Sequence, residues 1–223
     1  MINIENVSIR LGGNLVIDNA SASLPPKGKI GIVGKNGCGK STLLKIISGL
    51  IEPDSGVIKT PKKIKIGYVA QHAPSGTKSP LDIVLEADHE RSKLLSELDN
   101  SKETFKISEI YEQLRILNAS SAPARAARIL SGLGFNDKEQ NIPIDNFSGG
   151  WRMRVSLAAV LFSEPDLLLL DEPSNHLDLE AQVWLENFLK RIRSTLLIVS
   201  HERDLLNSVV DHILHINLGK MKL

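Results

Sequence analysis

The sequence predicts an α/β protein with a mixed-sheet core, an antiparallel β edge and an inserted helical subdomain. Three observations carry that expectation. Apolar runs at Leu167–Leu170 and Thr195–Val199 have the length and two-sided hydrophobicity of strands buried in a parallel sheet. Helical spacing separates them, from Leu179 to Ile192, with Val183, Leu185, Phe188 and Leu189 expected to face inward. Residues 2–9 and 15–24 alternate apolar and polar, as strands covered on one face do.

Taken in order, those two strands are joined by a turn at Leu11–Asn14, and Pro25 to Gly28 breaks the second. A short buried strand, Lys29–Val33, runs into a glycine-rich turn. A helix comes next, with Leu43, Leu44, Ile46 and Ile47 at helical spacing up to Gly49. After the turn Pro53–Gly56 comes Val57-Ile58, then a strand over Ile64–Ala70 with Gln71 at its end. Residues 74–146 change character: amphipathic helix over 81–99, then helical runs at Ile107–Leu117 and Ala124–Leu133. These are read as a helical subdomain, set between core segments 1–73 and 147–223. The core resumes with a helix over Trp151–Phe162, and ends with a helix over 202–209 and a strand near Ile213–Ile216.

The chain has 223 residues, 24% of them charged, with a formal net charge of +1. That balance gives no whole-chain field toward nucleic acid or membrane. The single cysteine leaves no internal disulfide. No apolar run is long enough to span a membrane and no secretory signal is present, so the expectation is a soluble, cytoplasmic protein.

Gly34 to Ser41 fit G-x-x-x-x-G-K-[ST], between a buried strand and a helix. Polyphosphate needs several inward backbone N–H groups, and glycines let a loop curl closely around its oxygens. The candidate nucleotide-binding residues are therefore Gly34, Asn36, Gly37, Cys38, Gly39, Lys40, Ser41 and Thr42. Lys40 can reach the β- and γ-phosphates, and Ser41 can hold Mg²⁺. Cys38 reads as a small filler. Asp171 and Glu172 come directly after the apolar strand. Asp171 suits Mg²⁺, through water, and Glu172 suits orienting or deprotonating an attacking water. Gln71 and His201 are weak signals taken singly. Ser148-Gly149-Gly150 makes a second helix start suited to phosphate. Two cradles for one nucleotide imply a face-to-face pair, the second cradle acting on a partner's nucleotide.

Together, Gly34–Ser41, Gln71, Ser148–Gly150, Leu167–Glu172, Ser174–Asp178 and His201 resemble the ordered motif set of ATP-binding-cassette ATPases, a P-loop NTPase family. The resemblance covers nearly the whole chain. It implies ATP and Mg²⁺ as ligands, with Gln71 near the metal and the attacking water. It also implies catalytic roles for Lys40, Glu172 and His201, and partner-facing roles for Ser148, Gly149, Gly150 and Asp178. Trp151 after the glycines, and Asn175-His176 within Ser174–Asp178, resemble the ABC-F subfamily. That subfamily implies a soluble protein with two cassettes in one chain, mostly acting on ribosomes. It also implies an arm, expected as a hairpin around residues 94–107.

With one cassette, this chain reads as an isolated N-terminal half, whose partner is a second cassette. The adenine-stacking aromatic of the family is missing; Leu11 or Val16 stands where it would pack on the base. Ribosome or rRNA contact rests on the resemblance alone, since Lys93, Lys102 and Lys106 are offset by Glu97, Asp99 and Glu103. Two alternatives stay open: a nucleotide-binding subunit of an ABC membrane transporter, and a nucleotide-dependent binding module without appreciable hydrolysis. Alone, the chain is expected to bind nucleotide well and hydrolyse it poorly.

Overall fold

In the computed structural model, residues 1–69, 73–101 and 103–223 are described. Gln71 lies outside the described residues, as does Lys102 of the expected arm. The chain forms two units. One comprises residues 1–69, 164–175 and 185–223; the other comprises 70–163 and 176–184. The helical unit thus takes in more of the chain than 74–146.

The first unit holds two sheets. Strands β1 (Ile2–Leu11), β2 (Asn14–Leu24) and β4 (Ser55–Lys59) form the antiparallel sheet, in the order β2-β1-β4. The larger sheet contains β3 (Lys29–Val33), β5 (Ile66–Tyr68), β6 (Leu167–Asp171), β7 (Thr195–Val199), β8 (His212–Asn217) and β9 (Lys220–Lys222). Its order is β5-β6-β7-β3-β8-β9, parallel except for β9. Leu168, Leu169, Leu196 and Leu197 are buried, as a sheet covered on both faces requires. Helix α1 (Lys40–Ile47) contributes Leu43, Leu44, Ile46 and Ile47 to one buried cluster with residues of both sheets. That packing fixes the glycine-rich turn between β3 and α1.

The second unit is built on α2 (Pro80–Glu86), α3 (His89–Asn100), α4 (Thr104–Ile116), α5 (Ala122–Gly132) and α6 (Gly149–Phe162). The helix expected over 81–99 is in fact α2 and α3. Ser79 and Asp82 form a capping box on α2, and the Asp88 side chain accepts from the Arg91 N–H at 3.1 Å to start α3 afresh. Leu94, Ile110 and Leu114 give the α3–α4 pair a small core of its own.

Helix α7 (Leu179–Arg191) contributes residues to both units, and α8 (Arg203–Val209) belongs to the first. On α7 the inward residues are Ala181, Leu185 and Leu189, whereas Val183, expected inward, is 51% exposed. The strand expected over 64–70 is shorter among the described residues. Before it, the Lys65 N–H is taken by the Asp166 carboxylate at 2.9 Å instead of a strand neighbour. Among the described residues no helix is long and apolar enough to cross a membrane.

Candidate functional site

The parallel register of the large sheet decides where the sequence motifs meet. Val199 of β7 pairs with Ile32 of β3 on one side and with Asp171 of β6 on the other. Three strands therefore end level. The turn from Gly34, the Asp171-Glu172 pair and Ser200-His201 stand at those ends. They gather along one carboxyl-terminal edge, where open α/β sheets take ligands.

The turn is built by close approach. A Cβ on Gly34 would come 2.5 Å from the Ile216 carbonyl oxygen and 2.6 Å from Cys38 Sγ. Gly39, the N-cap of α1, has φ 101°, in the left-handed region. Lys35, Asn36 and Gly37 are exposed and Cys38 half-buried, while Lys40 is only 9% exposed. The Lys40 ammonium donates to the carbonyl oxygens of Gly34 and Lys35, at 3.0 and 3.2 Å, so it curls back over the loop that precedes it. Ser41 and Thr42, half-buried, open the helix.

Glu172 sits just past β6 with φ 49°, an uncommon conformation for a residue with a side chain. Its N–H donates to the Val199 carbonyl at 2.9 Å, which pins it to β7. Oε2 accepts from the His201 main-chain N–H at 3.1 Å. Oε1 stands 3.3 Å from His201 Nε2 without hydrogen-bond alignment; it is buried and has no hydrogen-bond partner. A buried carboxylate oxygen left unpaired is costly, and such atoms in native proteins call for a reason. Here the atom stands at the strand edge, where the sequence motifs gather.

Tyr68 belongs to the same face and was not picked out by the sequence patterns. It pairs with Leu169, two residues before Asp171, so the three share one side of the sheet. Its hydroxyl is buried without a hydrogen-bond partner. Burial first, and then the negative charge of Asp171, push the tyrosine's pKa up.

Ser41 and Asp171 offer a hydroxyl and a carboxylate, oxygen donors of the kind Mg²⁺ accepts when phosphate and water supply its other positions. The donor chemistry fits a metal carried in with a polyphosphate. Among the described residues no group of three or more His, Cys, Asp or Glu forms a self-sufficient metal cage.

The remaining predicted residues lie in the helical unit. Ser148 is the N-cap of α6, with extended backbone and no capping hydrogen bond from its side chain. Ser148 and Gly149 are exposed, and a Cβ on Gly149 would meet open space. Gly150 lies against His176: a Cβ there would come 3.6 Å from His176 Nδ1. Phe135 packs edge-to-face on both Phe147 and Trp151, its ring centre 4.9 Å from that of Trp151. Asp178 is fully engaged. Oδ1 accepts from the Ala181 N–H at 3.0 Å, capping α7, and Oδ2 accepts from Arg154 at 2.8 Å. That N–H bond first, then Arg154, hold its carboxyl below the ordinary range. Arg154, a buried charge on α6, was missed by pattern reading.

Residues 17–175 match the family described as ABC transporter. The chain belongs to that family. ABC cassettes are ATPases that bind ATP with Mg²⁺. Within the family, its relatives are of the F group. The chain is 42% identical over 224 residues to the "Probable ATP-binding protein YheS" of Escherichia coli K12, covering 99% of this chain and 35% of that protein. It is 40% identical over 231 residues to the human "ATP-binding cassette sub-family F member 3", covering 99% of this chain and 32% of that protein. The chain thus spans about a third of the length of the curated relatives it matches. In fold it is similar to a dimeric ATP-binding cassette, MJ0796, in a post-hydrolysis state bound to ADP and Pi. The TM-score is 0.73 at 20% identity, over 100% of this chain and 97% of that one.

Proposed function

We propose that this ABC cassette is the N-terminal half of an ABC-F ATPase, and that ATP closes it against a second cassette while hydrolysis lets the pair part. The observation that supports this best is the level ending of β3, β6 and β7, with the Gly34–Thr42 turn, Asp171-Glu172 and His201 on one edge. In this reading the turn and the start of α1 hold the phosphates, and Lys40 swings from its own loop carbonyls to the β- and γ-oxygens. Ser41 and Asp171 hold Mg²⁺, which neutralises phosphate charge when bound. Gln71 is given its role toward the metal and the water by family resemblance alone. Glu172 takes a proton from, or orients, the attacking water through Oε1, and His201 lies over the γ-phosphate.

Ser148 and Gly149, exposed at a helix start, and the half-buried Gly150 face the nucleotide held by the second cassette, with Asp178 beside them. Each chain then carries half of a transition-state site, so the isolated cassette binds Mg-ATP and turns it over slowly. Adenine packs on Leu11 or Val16. The client is the ribosome during translation, in the cytoplasm, a reading supported by kinship with the F group.

Two measurements test this. Phosphate release by the two-cassette protein should exceed that of this chain alone at equal Mg-ATP affinity; equal rates would sink the composite site. Co-sedimentation of the full-length protein with ribosomes, strengthened by non-hydrolysable ATP, tests the client. Recovery with membrane subunits and no ribosome binding would overturn it.

A further inference from the structure

Arg154 is a buried charge held by several partners in the helical unit. It is 7% exposed, on the face of α6 that also carries Gly150, four residues earlier. Its Nε donates to the His176 carbonyl at 2.7 Å. Nη1 donates to the Leu133 carbonyl at 3.0 Å and to Asp178 Oδ2 at 2.8 Å. The guanidinium carbon lies 4.3 Å from the centre of the Trp151 ring. One side chain therefore joins α6, the end of α5 and both ends of the segment His176–Asp178.

We infer that Arg154 is a positioning residue that locks His176–Asp178 to the Ser148–Gly150 helix end, so that both present one rigid surface to a second cassette. The inference rests on the composite-site reading above and deepens it. The chemistry asks for arginine in particular. A planar guanidinium can serve two carbonyls and a carboxylate at fixed angles while stacking on an indole; an ammonium cannot reproduce that fork. Each carboxylate oxygen of Asp178 already has a partner, one capping α7 and the other holding Arg154, so the orientation of the group is fixed. Arg154 therefore acts on pairing through the shape of the segment. The contact of His176 with Gly150 completes the surface.

The test uses Arg154→Lys and Arg154→Met. In this chain, amide hydrogen exchange over 176–182 should rise at least about tenfold in Arg154→Met, and exchange over 29–47 should stay as in the wild type. In the full-length two-cassette protein, kcat should fall by up to about 100-fold, the scale of a misplaced positioning group. The Kd for Mg-ATP should stay within about twofold, because the phosphate cradle lies on other elements. Arg154→Lys, which keeps charge without the fork, should recover only a small part of kcat. Unchanged exchange, an unchanged kcat, full rescue by lysine, or a Kd that weakens as much as kcat falls would each overturn the inference. If the wild type gains no turnover from a second cassette, the composite-site reading fails instead, and the exchange measurement still decides whether Arg154 locks the segment.

Discussion

One hydrogen bond joins Glu172 to His201, from the His201 N–H to Oε2 at 3.1 Å, while the ring Nε2 stands 3.3 Å from Oε1 without bonding to it. The hydrogen bond holds the carboxylate in place, and Oε1 stays buried without a partner. Glu172→Gln keeps an acceptor for the main-chain N–H and removes the basicity. Phosphate release by the two-cassette protein should drop by about 10²- to 10⁴-fold, the usual worth of a general base. Mg-ATP affinity measured by calorimetry should not change. Turnover at the wild-type rate would remove Glu172 from the chemistry.

Among the described residues Lys40 pairs with no carboxylate; it rests on two carbonyls of its own loop. Those bonds are replaceable by water, so Lys40→Ala should fold normally. Charge-assisted hydrogen bonds to phosphate are worth about 1.5–3 kcal/mol, so ATP affinity should weaken by roughly 10- to 100-fold. Calorimetric titration with Mg-ATP reads this directly.

What could be read in the sequence and what could not divides along distance in the chain. The cradle from Gly34 to Thr42 is written in adjacent residues, because its shape depends on glycines at fixed offsets. The level strand ends result from apolar runs that only a two-sided sheet can bury. Arg154 was invisible because its partners lie 21 to 24 residues away, and an arginine on a helix reads as solvated until the fold brings carbonyls to it. Val183 was misplaced because a helical period gives the spacing of the buried stripe but not its edges. β9 was missed because Lys220-Met221-Lys222 carries no alternation long enough to register, and it exists by pairing with β8. Tyr68 reads as an ordinary strand aromatic. Only the register with Leu169 sets it within the electrostatic reach of Asp171.

Gly132 ends α5 directly against the indole of Trp184, and a Cβ there would overlap Trp184 at Cε2 and Nε1. Gly132→Ala gains up to about 1 kcal/mol in helix propensity. Overpacking costs about 1–3 kcal/mol, because the indole must leave its position. The overlap is with ring atoms and not a flexible chain end, so the loss wins. Thermal unfolding should shift down by a few degrees, at about 2–4 °C per kcal/mol for a chain of this size. A rise in midpoint would show that Trp184 yields at little cost.

The Tyr68 hydroxyl is buried and unpartnered, so Tyr68→Phe removes a desolvated group without breaking a hydrogen bond. Stability should be unchanged or higher by about 1 kcal/mol. Urea unfolding measures it. A clear loss would mean that the hydroxyl is hydrogen-bonded in solution.

Asp178 ties folding to acid. The Ala181 N–H, then Arg154, hold its folded pKa below the ordinary aspartate value of 3.8. A depressed carboxylate binds protons more weakly in the folded state than in the unfolded one. Its contribution is therefore complete above 3.8 and is lost as pH falls through the lower folded value. The side chain is 54% exposed, so solvent screening keeps that contribution small. Other carboxylates also titrate in acid, which makes the comparison with Asp178→Asn the informative quantity. At neutral pH the variant should unfold at lower urea, having lost the charged partner of Arg154. As the solution is acidified the two midpoints should converge, because the wild type then loses the same interaction. A gap that stays constant into strong acid would show that the carboxylate charge contributes nothing to the difference.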